Sequence, residues 1–290
     1  MIAASYILLR FVHFTSLILL TGCASYRAIL APEDYTGRLW SRLKSGAVWA
    51  AAIALMSAFA MFAVQTMLMS GETDGISQAS VWYAVSGTRF GQAWLPEMLL
   101  ALLCVLLLSF SGRRAGLLLL AGCIVELMFL ATTGHAAMHD GARGMAGQIS
   151  QAVHLTAAAF WCGGLFPLLR LLKQANGHPD DKNAILTMMK FSRYGHWAVA
   201  LTIISGTLNT LLIAGFPLHW SDWLRWLLFK ICLVLLMVVI ALCNRYWLVP
   251  RFSRSPQQSR RWFIRLTQLE LLVSLVVIVV VSWFATLSPV

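Results

Sequence analysis

Charge is what this sequence has least of. Only 11% of its 290 residues are charged, against 59% hydrophobic. Soluble domains carry about 25% charged residues. A chain this poor in charge cannot cover a water-soluble surface, so lipid is the solvent that fits. No long polar segment is left over for a soluble domain, and no convincing repeat or low-complexity tract is visible. There is no P-loop or other ATPase motif. The cysteines, Cys23, Cys104, Cys123, Cys162, Cys232 and Cys243, form no CxxC or other close pair. That excludes a disulfide framework and a sequence-local zinc site. Leu20-Thr21-Gly22-Cys23 resembles a lipobox, but residues 1–9 hold no Lys or Arg. The basic start of a cleaved leader is missing, and the segment reads as a first span.

What is present is a series of apolar runs. A spanning helix needs about 20 mostly apolar residues. Eight stretches qualify, near 6–30, 46–69, 90–110, 115–134, 148–172, 192–215, 223–248 and 264–287. The expected fold class is therefore all-α, a polytopic membrane bundle forming a single domain over 1–290. The net charge of +11 is spread between these runs rather than gathered in one patch, so nucleic acid is not an expected partner. Arg27, Arg38, Arg42 and Lys44 follow the first span, and Arg113 and Arg114 follow the third. Lys173, Lys182, Lys190 and Arg193 follow the fifth; Arg251, Arg254, Arg260 and Arg261 follow the seventh. The alternate loops hold little more than Arg89, Arg143 and Arg225. By the positive-inside rule both termini face outward, which is the periplasm in a Gram-negative inner membrane.

This topology sorts the histidines by depth. His13 and His154 each lie about 10 Å into a span from its outer end. His135, Met138, His139 and Asp140 sit at the outer end of the fourth span, and His219 lies in an outer loop. His135 and His139 share a face if the helix continues that far. His178 and His196 fall on the inner side. Imidazole and thioether donors together favour copper, so His13, His135, His139, His154 and Met138 form the expected metal set. The alternative is haem b, with His13 and His154 as axial ligands. Such a protein would be a membrane cytochrome with redox activity. Otherwise the chain reads as a transporter with no catalytic residues.

A second set lies slightly deeper. Glu97, Glu126 and Lys230 are each about 10–13 Å in. A buried Lys needs a partner, so an ion pair of Lys230 with Glu126 or Glu97 is expected. Arg10, one turn from His13, adds positive charge there. Cys23 and Cys162 lie deeper still on their spans, and with His196 they form an expected inward path. Gly163-Gly164 reads as a close helix–helix contact.

Several segments resemble the copper resistance protein D (CopD) family of bacterial inner membrane proteins. They include Arg10-Phe11-Val12-His13-Phe14, Gly134-His135-Ala136-Ala137, and His154 through Trp161-Cys162-Gly163-Gly164-Leu165. Arg193-Tyr194-Gly195 to Ser205-Gly206, and Lys230 through Asn244-Arg245, match as well. The resemblance implies eight helices, copper handling that is commonly periplasm-to-cytoplasm transport, and a periplasmic CopC-type copper-binding partner. No segment of these residues reads as such a domain, so a separate partner is expected. His13, His135 and His154 fall on the matching segments. The sequence lacks the Met-rich run and intramembrane Cys-Pro-Cys of other copper transporters.

Overall fold

The structure is a computed structural model that describes residues 2–71, 76–174, 182–216, 219–253 and 255–288; His178 lies outside them. Among the described residues eight helices are long and apolar enough to cross a membrane, which makes the chain an all-α polytopic membrane protein. They are α1 (Ile2–Ser25), α2 (Glu33–Ser70), α4 (Arg89–Leu107), α5 (Gly112–Ala131), α6 (Gly141–Gln174), α7 (Lys182–Ala214), α8 (Asp222–Leu242) and α9 (Pro256–Phe284). A short helix, α3 (Ala79–Ser86), caps the outer end of α2 and α4. The apolar runs locate every span, but the helices outrun them. At 38 residues α2 extends about 57 Å, well past the hydrocarbon.

Two helices, α1 and α6, form the centre. They pack on each other, α1 also on α2, α5 and α9, and α6 also on α5, α7 and α9. Glycine permits this contact. A methyl group added at Gly163 would lie 2.0 Å from the Ile18 carbonyl oxygen, and one added at Gly164 2.2 Å from the Phe191 ring. Small residues let helix backbones approach in lipid, where packing rather than water expulsion drives association.

The first half of the chain is α1 to α5 and the second α6 to α9. In each, the first two long helices pair, as α1 with α2 and α6 with α7. The last two pair likewise, as α4 with α5 and α8 with α9. The halves differ in one place: α4 is wedged against α2, whereas α8 makes no comparable packing on α7 among the described residues.

The inner end of α1 winds into a π-helix, Tyr26–Leu30. Arg27 on it was expected in an inner loop, but it is buried. Its guanidinium donates to the carbonyls of Phe110 at 2.6 Å and Gly112 at 3.2 Å, and lies over the Trp40 ring at 4.2 Å. A charge at that depth is tolerated because carbonyls and an aromatic face surround it.

Candidate functional site

The donors expected to gather at the outer face lie in three separate places. The first is the core of the first half. His13 is fully enclosed between α1, α2 and α4. Its Nδ1 lies 3.1 Å from the Ala54 carbonyl oxygen and 3.1 Å from Ser57 Oγ. A carbonyl only accepts, so Nδ1 carries the ring proton, and Nε2 is left with a lone pair. That lone pair points at Glu97 Oε1, 3.2 Å away. Two acceptors at this distance are held together by a positive charge between them, either a proton or a metal cation. The Trp94 ring closes the site, 5.3 Å from the imidazole centroid to centroid.

Glu126 of α5 adds to this deficit. It is completely buried, lies in electrostatic range of both His13 and Glu97, and among the described residues its oxygens meet no N–H or O–H donor, only the Cys104 thiol. Glu97 Oε2 is unpartnered. A buried carboxylate without a partner is costly and is retained for a bound proton or cation. Cys104 lies against both Glu126 and Cys123, and Cys23 is next to Cys123. Imidazole, carboxylates and thiols are thus neighbours across α1, α4 and α5. Sequence reading gave Cys104 and Cys123 no role, because their alignment depends on how α4 and α5 face α1.

The second place is the core of the second half. His154 Nδ1 lies 3.0 Å from the Thr202 carbonyl oxygen and 3.2 Å from Ser205 Oγ, both on α7. Lys230 is in electrostatic range of His154 and Cys162. The expected ion pair of Lys230 with Glu97 or Glu126 is not formed; among the described residues Lys230 makes no ion pair, and Glu97 pairs with His13 instead. The physical reason is placement: α8 packs on α9, away from α4 and α5. Glu270 of α9 is buried here and accepts a hydrogen bond from Trp161 Nε1 at 3.0 Å. Its signal was available, since it is the one acidic residue in the apolar run of the last span.

The third place is a crevice at the turn between α5 and α6, lined by His135, His139, Arg143, Gly147, Asn209 and Leu212. The helical spacing expected for the two histidines does not hold. α5 ends at Ala131, Gly134 turns the chain at φ +73°, and His135 sits on a 3-10 turn, Gly134–Ala137. Both imidazoles nevertheless share the crevice, each with a buried, unpartnered Nε2. Burial and the nearby Arg10 hold His135 below the ordinary imidazole range, with the carbonyls of Leu287 and Ala285 opposing. Its ring is therefore neutral and able to coordinate. Met138 and His219 are exposed and take no part in the lining. Arg10 lies in electrostatic range of both His13 and His135.

The inward path from Cys23 through Cys162 to His196 does not form one line. Cys23 neighbours Cys123, Cys162 belongs with Lys230, and the exposed His196 bonds Tyr246 Oη at 3.1 Å. A haem between His13 and His154 does not fit either. Both ring nitrogens of His13 are engaged within an enclosed core, and His154 is held by a different helix pair. Among the described residues no three His, Cys, Asp or Glu side chains converge closely enough to cage a metal. A metal in the first core would be held by two or three ligands after small side-chain shifts.

Residues 1–145 match the family described as "Copper resistance protein D-like, N-terminal domain", and residues 185–284 match "Copper resistance protein D". The chain belongs to the copper resistance protein D family. It is 40% identical over 290 residues to the inner membrane protein YebZ of Escherichia coli (strain K12), covering 100% of both chains. It is 30% identical to copper resistance protein D of Pseudomonas syringae pv. tomato, covering 98% of this chain and 96% of that one. A shorter match, 33% identical over 105 residues, joins it to the copper transport protein CutJ of Bacillus subtilis (strain 168), with 36% of this chain and 18% of that one covered. No solved structure matches. The chain is therefore a multi-pass inner membrane protein of a copper-related family. His13, Glu97 and Glu126 fall in the first matched segment, Lys230 and Glu270 in the second, and His154 between them.

Proposed function

We propose that this protein takes copper from the periplasmic side and passes it into the membrane through the first half of the bundle. His135 and His139 receive the ion at their crevice. His13, Glu97 and Glu126 hold it in the core, and Cys104, Cys123 and Cys23 lead it inward. The observation that carries this reading is the approach of His13 Nε2 to Glu97 Oε1 beside the fully buried carboxyl group of Glu126. That core is short of positive charge; its imidazole suits copper, and its carboxylates add the negative charge that any bound cation would balance. The deeper thiols are soft donors that suit Cu(I), and the ion passes along the route without change of oxidation state. The names of the relatives support copper as the cargo. A separate periplasmic copper-binding protein of CopC type is the proposed donor.

The test is metal content together with an absorption spectrum of purified protein. About one equivalent of copper and no Soret band is expected, with copper lost in His13→Ala and Glu126→Gln. A Soret band that shifts on reduction would replace this reading with a haem protein. Copper unchanged in both variants would remove the first core as the site.

A further inference from the structure

The two core histidines are held in the same way. His13 Nδ1 meets a carbonyl and a serine three residues later on the next long helix, Ala54 and Ser57. His154 Nδ1 meets Thr202 and Ser205, a carbonyl and a serine three residues later on its own next helix. The local sequences agree: Val12-His13-x-Thr15 followed by Gly22, and Val153-His154-x-Thr156 followed by Gly163. Gly22 and Gly163, equally placed after their histidines, are where α1 and α6 touch. Contact between equivalent residues is what a two-fold axis between two helices produces.

The far ends repeat as well. Arg113-Arg114 opens α5, and Arg113 Nε donates to the Ala28 carbonyl after α1 at 3.1 Å. Arg260-Arg261 lies at the start of α9, and Arg260 Nε donates to the Leu172 carbonyl of α6 at 3.1 Å. Packing between the halves follows the same operation: α5 lies on α6 as α9 lies on α1. With α1 equivalent to α6, α4 is equivalent to α8. Glu97-Met98-Leu99-Leu100-Ala101-Leu102-Leu103-Cys104-Val105 then falls on Lys230-Ile231-Cys232-Leu233-Val234-Leu235-Leu236-Met237-Val238. Leu100, Leu102, Leu103 and Val105 recur at Leu233, Leu235, Leu236 and Val238, and Cys104 and Met237 are both buried. Glu97 stands against His13, and Lys230 stands in range of His154.

We infer that the chain is two fused copies of one four-helix unit, and that the Lys230 ammonium fills, in the second unit, the cation position that His13 and Glu97 leave open in the first. In both units the carbonyl at Nδ1 leaves Nε2 as an acceptor. Beside His154 the equivalent side chain brings its own positive charge. Beside His13 it brings a negative one, which an added cation must balance. An ammonium tethered to the chain cannot be exchanged, so the protein holds one copper ion rather than two. That the open position takes a metal ion rather than a proton, and that this ion is copper, rests on the copper reading above.

The test is Cu(I) titration of the purified full chain in detergent against a competing chelator. Wild type should bind one equivalent, Lys230→Glu two, and Glu97→Lys none. The exchanged pair Glu97→Lys with Lys230→Glu should bind one, lost on His154→Ala and not on His13→Ala. If Lys230→Glu does not fold, the exchanged pair decides. A monodisperse Lys230→Glu protein that still binds one equivalent overturns the inference and leaves the copper reading standing. A wild type that binds none overturns the copper reading, and metal-free unfolding then decides the equivalence. There Glu97→Lys should melt at or above Glu97→Gln, since its ammonium would lie between His13 and Glu126. A lower midpoint overturns the inference.

Discussion

Gly22 of α1 and Gly163 of α6 meet backbone to backbone, so that a methyl group added at Gly22 would lie 2.1 Å from the Gly163 carbonyl carbon. No rotamer change relieves such a clash, because the obstacle is main chain. Gly163→Ala should separate the two central helices and cost at least about 1–3 kcal/mol. The control is Gly195→Ala on α7, where an added methyl meets nothing within 4 Å. That change should be neutral or stabilising by about 0.5–1 kcal/mol, the helical penalty of glycine. Thermal midpoints in one detergent compare the two; equal midpoints would mean the central contact is slack.

Glu97 is both a neighbour of His13 and half of the charge deficit, and these roles separate on substitution. Glu97→Gln keeps the shape and supplies an amide N–H that can donate to His13 Nε2. The fold should hold, with no fall in thermal midpoint. Copper affinity should drop about tenfold or more, since a ligand and its charge are gone. A variant that unfolds, or binds copper as wild type does, would contradict the assignment of this pair.

How much of this was legible in the sequence follows from what counting along a helix can and cannot give. Depth was legible: His13, Glu97 and Glu126 were each placed near 10–13 Å by counting, and they share one core. Direction around the helix was not. Lys230 has matching depth but lies in electrostatic range of His154, because α8 packs on α9 rather than on α4 or α5. The end of α5 was over-extended through Gly134, whose positive φ turns the chain and carries His135 off the helical spacing. The repeat is hard to see in the sequence because only a few residues per unit, such as His13 and Ser57, recur as His154 and Ser205, and the two links are contacts across 44 and 51 positions.

Trp161 and Glu270 form the buried hydrogen bond that ties α6 to α9. Trp161→Phe removes the donor and leaves a carboxyl group in the core without it. That should cost about 1–3 kcal/mol. Glu270→Leu made together with Trp161→Phe should recover most of the loss, because removing both partners leaves nothing unsatisfied. A double-mutant cycle on unfolding free energies measures the coupling. A coupling near zero would show that Glu270 finds another donor when Trp161 is gone.

His135 and His139 expose no ring nitrogen to a protein partner at Nε2, yet they lie far from a complete metal cage. They are entry ligands in the proposed route, and entry ligands govern rate rather than occupancy. His135→Ala and His139→Ala should therefore reach the same copper stoichiometry as wild type at equilibrium. Loading from a copper-charged chelator, followed by rapid mixing, should slow several-fold in each and no further in the pair, because the two rings share one crevice. Arg10 is in electrostatic range of both His135 and His13 and opposes a cation passing from one to the other. Arg10→Gln should consequently speed loading, by an amount that shrinks as salt screens the charge. Unchanged loading in all of these variants would mean that copper reaches His13 by a path other than that crevice.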